Sequence, residues 1–216
     1  MKTEGARTNE WVNRAVDFDN QYTEGTPLRG WPFFGEYVRK DLLLRQQIVL
    51  ELMGNVQGLK ILDLGCGVGR FAHLLARKGA IVTGYDISSQ AIEEAKAVAD
   101  REGLGERCRF HVADIADLNP SDLKYDFWIG IGLWQYLKRP AQMMGKLTQI
   151  PYFVSDLPRF AHWIHPLRRI YRTYLLGIPF KAYSYSEAKN LFSNSGMDNF
   201  KIDMRNPTIF IVNRVR

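Results

Sequence analysis

From about residue 58 onward, short apolar runs alternate with longer stretches whose apolar positions recur at helical spacing. The runs 61–64, 80–86, 108–113, 125–133, 149–155, 199–204 and 208–213 have the length and composition of strands. Between them the pattern predicts helices over 36–53, from Gly69 or Arg70 onward, and after Ser88 or Ser89 as cap. Two more are predicted over about 140–148, opened by Pro140, and over 184–195, with Ser186 as the expected cap and Gly196 beyond its end. Earlier, 9–20 reads as a short helix and 26–35 as a loop, from its proline and glycine content. Strands alternating with helices predict an α/β fold built on a doubly wound, mostly parallel sheet.

The first apolar run flows into Asp63-Leu64-Gly65-Cys66-Gly67-Val68-Gly69, with a helical pattern behind it. Glycines on alternate positions let the backbone bend sharply and approach a ligand with no Cβ between them. The start of the following helix adds unpaired N–H groups and a positive dipole end. Together they read as a cradle for an adenosine-type cofactor, or as a purely structural turn. A dinucleotide fingerprint wants a third glycine where this chain has Arg70. The second run ends in Asp86, about 20 residues beyond the first glycine, where a carboxylate accepts a ribose diol. The same residue also reads as a helix-capping aspartate. The third run ends in Asp114-Ile115, and the fourth leads through Gly130-Ile131-Gly132-Leu133 into Trp134-Gln135-Tyr136.

In order and spacing these four segments, over about residues 58–137, resemble the motifs of the class I S-adenosylmethionine-dependent methyltransferases. The resemblance implies a seven-stranded, mostly parallel doubly wound sheet whose last strand is antiparallel, matched here by the closing hairpin around Asn206-Pro207. It implies S-adenosyl-L-methionine as cofactor and S-adenosyl-L-homocysteine as product. Site residues carry over as Asp63, Gly65, Cys66 and Gly67 in the glycine loop, Asp86 at the ribose and Asp114 at the adenine amino group. Ile87 and Ile115 would sandwich the adenine ring, and the backbone of Gly130 and Ile131 would lie along the methionine part. It further implies one methyltransferase domain over 1–216, with an N-terminal lid segment over about 1–35 and a substrate-side insert over about 157–183. Tyr22 and Trp31 are the lid aromatics, which either cover the cofactor or pin the loop to the body.

Composition bounds the acceptor. The chain has 216 residues, with 29 Lys and Arg against 23 Asp and Glu, for a net charge of +6. That balance favours acidic partners, whether nucleic acid, anionic lipid or a small acid. Cys66 and Cys108 have neither a metal-type nor a disulfide-framework spacing, so no metal is expected. No apolar run approaches a membrane span and the N-terminus lacks a secretion-signal core, so a cytoplasmic location is expected. The segment 159–181 carries Phe160, Trp163, Ile164, Leu167, Ile170, Tyr171, Tyr174 and Leu175 on one helical face and six basic or imidazole side chains on the other. It reads as a lid over an acidic or amphipathic acceptor, as a contact with an anionic membrane surface, or as a helix packed on the core.

If the acceptor is a hydroxyl, a base must take its proton. Asp156, His162 and His165, on the segment leaving the fifth strand, are the candidates. The signature of exocyclic-amine methylation is missing, since the matching place reads Asp126-Phe127-Trp128-Ile129, and no Pro-Cys nucleophile exists for cytosine. No appended nucleic-acid module is visible. A small-molecule acceptor methylated on oxygen or nitrogen is therefore the expected substrate. The run from Ala182 to Glu187 and the helix behind it loosely resemble methyltransferases acting on quinone or porphyrin precursors. Two other functions remain open: an RNA methyltransferase using the basic 159–181 surface, and a non-catalytic cofactor-binding module. Oligomeric state is not legible.

Overall fold

The computed structural model describes residues 32–119, 124–160, 166, 169, 170, 173, 180–205 and 208–213. Its seven strands form one sheet in the order β3-β2-β1-β4-β5-β7-β6. They are β1 Lys60–Leu64, β2 Ile81–Asp86, β3 Cys108–Val112, β4 Phe127–Gly130, β5 Tyr152–Pro158, β6 Lys201–Arg205 and β7 Thr208–Asn213. The helices are α1 Pro32–Met53, α2 Arg70–Arg77, α3 Ser89–Arg101, α4 Pro140–Gly145 and α5 Tyr185–Ser193. The chain divides into two compact units, Met1–Leu118 and Asn119–Arg216.

In the first unit, β1 pairs parallel with β2 and β2 with β3. Parallel neighbours need covered crossovers, and α2 and α3 supply them. Ile61, Leu62 and Leu64 are fully buried, as a strand covered on both faces requires. Ala91, Ala95 and Ala99 recur every four residues on the buried face of α3. The register stands Asp86 opposite Val112, so β2 and β3 end on the same edge of the sheet.

The second unit has an aromatic core. Trp128 stacks on Phe153 at 4.7 Å between ring centroids, and Phe153 stacks on Phe192 at 5.6 Å. Such pairs add about 0.5–1.5 kcal/mol each beyond the area they bury. β4 pairs parallel with β5, whereas β7 runs antiparallel to both β5 and β6. That is the expected sheet, with its single reversed strand at the end of the sequence.

Four local expectations need correction. Helix α1 starts at Pro32, so residues 32–35 of the expected loop and lid are helical; proline suits a first helical turn, where its missing N–H has no partner to lose. β5 runs three residues past the expected end at Ser155, because its pairing with β7 continues through Pro158 opposite Thr208. Proline is tolerated there as a terminal strand residue. The cap of α5 is Ser184, not Ser186: Ser184 Oγ accepts from Glu187 N, and the Glu187 carboxylate accepts from Ser184 N at 2.9 Å. β4 is also shorter than the run 125–133 and ends at Gly130. The helix expected over 9–20, Tyr22, Trp31, His162 and His165 lie outside the described residues.

Candidate functional site

Gly65, Gly67 and Gly69 all take positive φ, at 67°, 52° and 78°. Side chains with a Cβ rarely adopt that backbone, so this bend needs glycine at alternate positions. The loop folds back on the end of β2: Gly65 N and Cys66 N both donate to Tyr85 O, at 2.8 and 3.1 Å. Gly67 N donates to Asp86 Oδ2 at 2.9 Å, and Ser88 N donates to Asp86 Oδ1 at 2.9 Å. Asp86 therefore ties the glycine loop to the cap of α3, whose Ser88 Oγ accepts from Ala91 N at 3.2 Å. The Ile87 backbone bonds the same carboxylate, so three donors leave it one further lone pair to offer. The two readings of Asp86 are thus compatible, since it holds the turn and keeps acceptor capacity.

The loop is shaped by contact as well. A Cβ on Gly84 would lie 2.8 Å from Cys66 Sγ, and one on Gly69 would lie 2.8 Å from the His73 ring. His73 is itself buried and takes part in a 2.9 Å hydrogen bond with Ala95 O, bridging α2 and α3. Burial lowers its pKa, so the ring is held neutral. Sequence reading passed over this histidine, since a polar residue on a helix face carries no distinguishing pattern.

Asp63 is the unusual group. It is 3% exposed, and its carboxyl is bonded by the Ala72 backbone on α2, while Oδ2 has no hydrogen-bond partner among the described residues. Burial, then the neighbouring Asp86 charge, pushes its pKa up to about 7. Burial raises Asp86 as well. A buried and a half-buried carboxyl beside a loop whose N–H groups are turned inward form a poor seat for a pyrophosphate and a good one for a cation. An orphaned buried carboxyl oxygen fits the charge of a nucleoside sulfonium bearing an amino acid.

Asp114 is placed at the same edge of the sheet by the Asp86–Val112 register, and Ala113 N donates to Asp86 O at 2.9 Å. Its side chain is exposed and accepts from Ala116 N at 2.9 Å, starting a short 3₁₀ turn. Ile115 behind it is buried, and Ile87 is half-buried.

In the second unit, the space beside Gly130 is taken. A Cβ there would lie 2.7 Å from the Trp134 indole. Gly130 O accepts from Trp134 Nε1 and from Ser155 Oγ, both at 3.1 Å, and Trp134 Nε1 also donates to Ser155 Oγ. This glycine serves the packing of Trp134, with its carbonyl occupied, and is not an open approach for a ligand. Asp156 does not stand free at a strand end. It lies within β5, 1% exposed, and its Oδ1 accepts from Gly132 N at 2.6 Å.

Similarities to known proteins converge on this architecture. Residues 55–156 match a family described as a methyltransferase domain. A ubiquinone biosynthesis O-methyltransferase of Escherichia coli O157:H7 is 35% identical over 96 residues, which are 43% of this chain and 40% of that protein. The chain therefore spans well under half the length of the curated relative it matches. Among solved structures, magnesium protoporphyrin IX methyltransferase from Synechocystis PCC 6803, crystallised with bound SAH, has a TM-score of 0.76 at 20% identity. That likeness covers 98% of this chain and 100% of the other. An S-adenosylmethionine-dependent methyltransferase from Mesorhizobium loti has a TM-score of 0.63 at 18% identity, covering 77% and 95%. With the glycine bend, the carboxyls at the strand ends and this sheet order, residues 55–156 are similar to a methyltransferase-domain family, and the fold is that of the class I S-adenosylmethionine-dependent methyltransferases.

Proposed function

We propose that this chain is a methyltransferase that takes S-adenosylmethionine as cofactor and a small molecule as acceptor. The observation that carries the reading is the pairing of Asp63 and Asp86 around a glycine bend that has spent its N–H groups internally. The bound cofactor supplies an activated methyl carbon. Asp86 holds the ribose with its remaining lone pair, and the buried Asp63 carboxyl lies behind the bend, where its charge favours a cationic ligand. Asp114 and Ile87 belong to the adenine end, with Gly65, Cys66 and Gly67 as the bend they surround. The protein's task in such a transfer is alignment of nucleophile and carbon, which contributes many kcal/mol by orientation alone.

The acceptor class draws on the relatives, whose names give a quinone-pathway and a porphyrin substrate. An aromatic or amphipathic acceptor methylated on oxygen fits the apolar face of the 159–181 sequence and its basic side chains. We assign the lid to the residues before α1, about 1–31, and the acceptor-recognising insert to 157–183, within one functional domain. His162 and His165 are the proton acceptors for a hydroxyl substrate; Asp156 is disfavoured by its burial and by its bond to Gly132. Among the described residues no helix is long and apolar enough to cross a membrane, and a cytoplasmic protein, with peripheral contact through the basic segment, fits the charge.

The test is transfer of a labelled methyl group from S-adenosylmethionine into a metabolite fraction and, separately, into an RNA fraction. Label should enter small molecules, with little response to added salt. Label entering RNA, in a reaction that collapses between 50 and 200 mM salt as phosphate contacts do, would replace this reading with the RNA one.

A further inference from the structure

Beyond Pro158 the chain leaves β5 under tight backbone control. Arg159 forms a parallel bridge with Tyr183, in which Tyr183 N donates to Pro158 O and Phe160 N donates to Tyr183 O, both at 2.8 Å. Arg159 is thereby fixed past the carboxyl end of β5, the edge on which its parallel neighbour β4 also ends. The residue is half-buried, and its Nε is sealed from solvent with no hydrogen-bond partner among the described residues. A sealed donor on a charged group is costly to leave unmade, so the site calls for an anion.

The chain has little to offer it nearby. Between Asp156 and Glu187 the sequence holds five arginines and lysines and no Asp or Glu. Lys181, beside the same bridge, is already engaged: its Nζ lies 4.7 Å from the centroid of the Tyr183 ring and 3.6 Å from Glu187 Oε1. That leaves one guanidinium, whose planar fork matches a planar monoanion with two parallel N–H···O bonds. A phosphate, carrying up to two charges, would call on a second cation. The better match is a carboxylate.

We propose that Arg159 is a specificity-determining residue that binds a carboxylate of the methyl acceptor, so that the acceptor is a small organic acid. This rests on the small-molecule methyltransferase reading above and narrows its substrate class. The carboxylate is the anchor of the acceptor, and the methyl goes to another atom of the same molecule.

The experiment measures transfer of labelled methyl from S-adenosylmethionine into a metabolite extract, and into the same extract with its carboxyl groups converted to methylamides. Wild type, Arg159→Gln and Arg159→Lys are compared, with melting curves and calorimetric S-adenosylhomocysteine binding for each. Wild type should label the untreated extract and lose roughly tenfold or more on the amidated one, the scale of a lost charge-assisted bond. Arg159→Gln should lose a similar factor on the untreated extract, recovered by raising extract concentration, with cofactor affinity and melting unchanged. Arg159→Lys, which keeps the charge without the fork, should fall between them. Equal labelling of the two extracts by wild type overturns the proposal, and needs no variant to fold. So does unchanged transfer by Arg159→Gln, or a loss matched by weaker cofactor binding, which would make the residue structural. Label released by mild alkali would mark a methyl ester, with the carboxylate consumed instead of held, and also overturns it. If Arg159→Gln keeps its transfer but loses partitioning onto phosphatidylglycerol vesicles, the residue belongs to a membrane surface instead. A wild type that binds the cofactor but labels neither extract removes the small-molecule reading itself, and the proposal with it.

Discussion

A carboxyl at the foot of a glycine bend is expected to be ionised at neutral pH, and Asp63 departs from that because it is sealed from water with one oxygen unbonded. Its pKa of about 7 in the folded chain stands against 3.8 when exposed. The folded state therefore binds more protons across that interval, and the stability Asp63 contributes while protonated is lost as pH rises from about 4 through 7. Asp86, also raised, acts in the same direction, while His73, lowered by burial, gains stability as pH rises. Both remain in Asp63→Asn, so the difference between wild type and variant isolates position 63. Melting temperatures taken from pH 5 to 8 should show the wild type losing ground to Asp63→Asn; a constant difference would mean Asp63 is ionised throughout. At Gly130, an added Cβ meets the Trp134 indole at 2.7 Å. Gly130→Ala should cost about 1–3 kcal/mol in a denaturant melt, as overpacking does, and a neutral result would show that the indole can shift. Asp63, Gly65 and Asp86 were legible in the sequence because each sits at the end of an apolar run. The demand on Gly130 was not, because the side chain that fills its space lies on a later turn whose shape only the fold determines.

At the level of elements, the strands were written in apolar-rich runs of four to nine residues, and each run overlaps one of β1 to β7. Ends were less readable. The extension of β5 to Pro158 depends on its antiparallel partner β7, a long-range pairing that no local window contains. The cap of α5 was within reach: Ser184-Tyr185-Ser186-Glu187 spells a serine followed three residues later by a glutamate, the reciprocal capping arrangement. Ser184→Ala should lower stability by about 1 kcal/mol, the usual worth of a side-chain cap. Ser186→Ala should change little in the same melt, and the reverse ranking would restore Ser186 as the cap.

For the whole molecule, the division of labour runs along the chain. Residues up to Leu118 carry the glycine bend and the strand-end acids, and residues from Asn119 carry the Asp156–Gly132 bond and the aromatic core. A net charge of +6 sets the tone of its partners without choosing among them. The acceptor was the part least legible in sequence, because the groups that select it are spread over the 157–183 segment, most of which lies outside the described residues. The cofactor was the most legible, because its recognition uses backbone bends and carboxyls at fixed strand ends. Calorimetric titration of S-adenosylhomocysteine into the wild type and Asp86→Ala tests that core of the account most directly. The account predicts one site in the wild type and affinity lower by roughly ten- to a hundredfold in the folded variant, the worth of hydrogen bonds to a charged group. Equal affinity in the two proteins, or no binding to either, would contradict it.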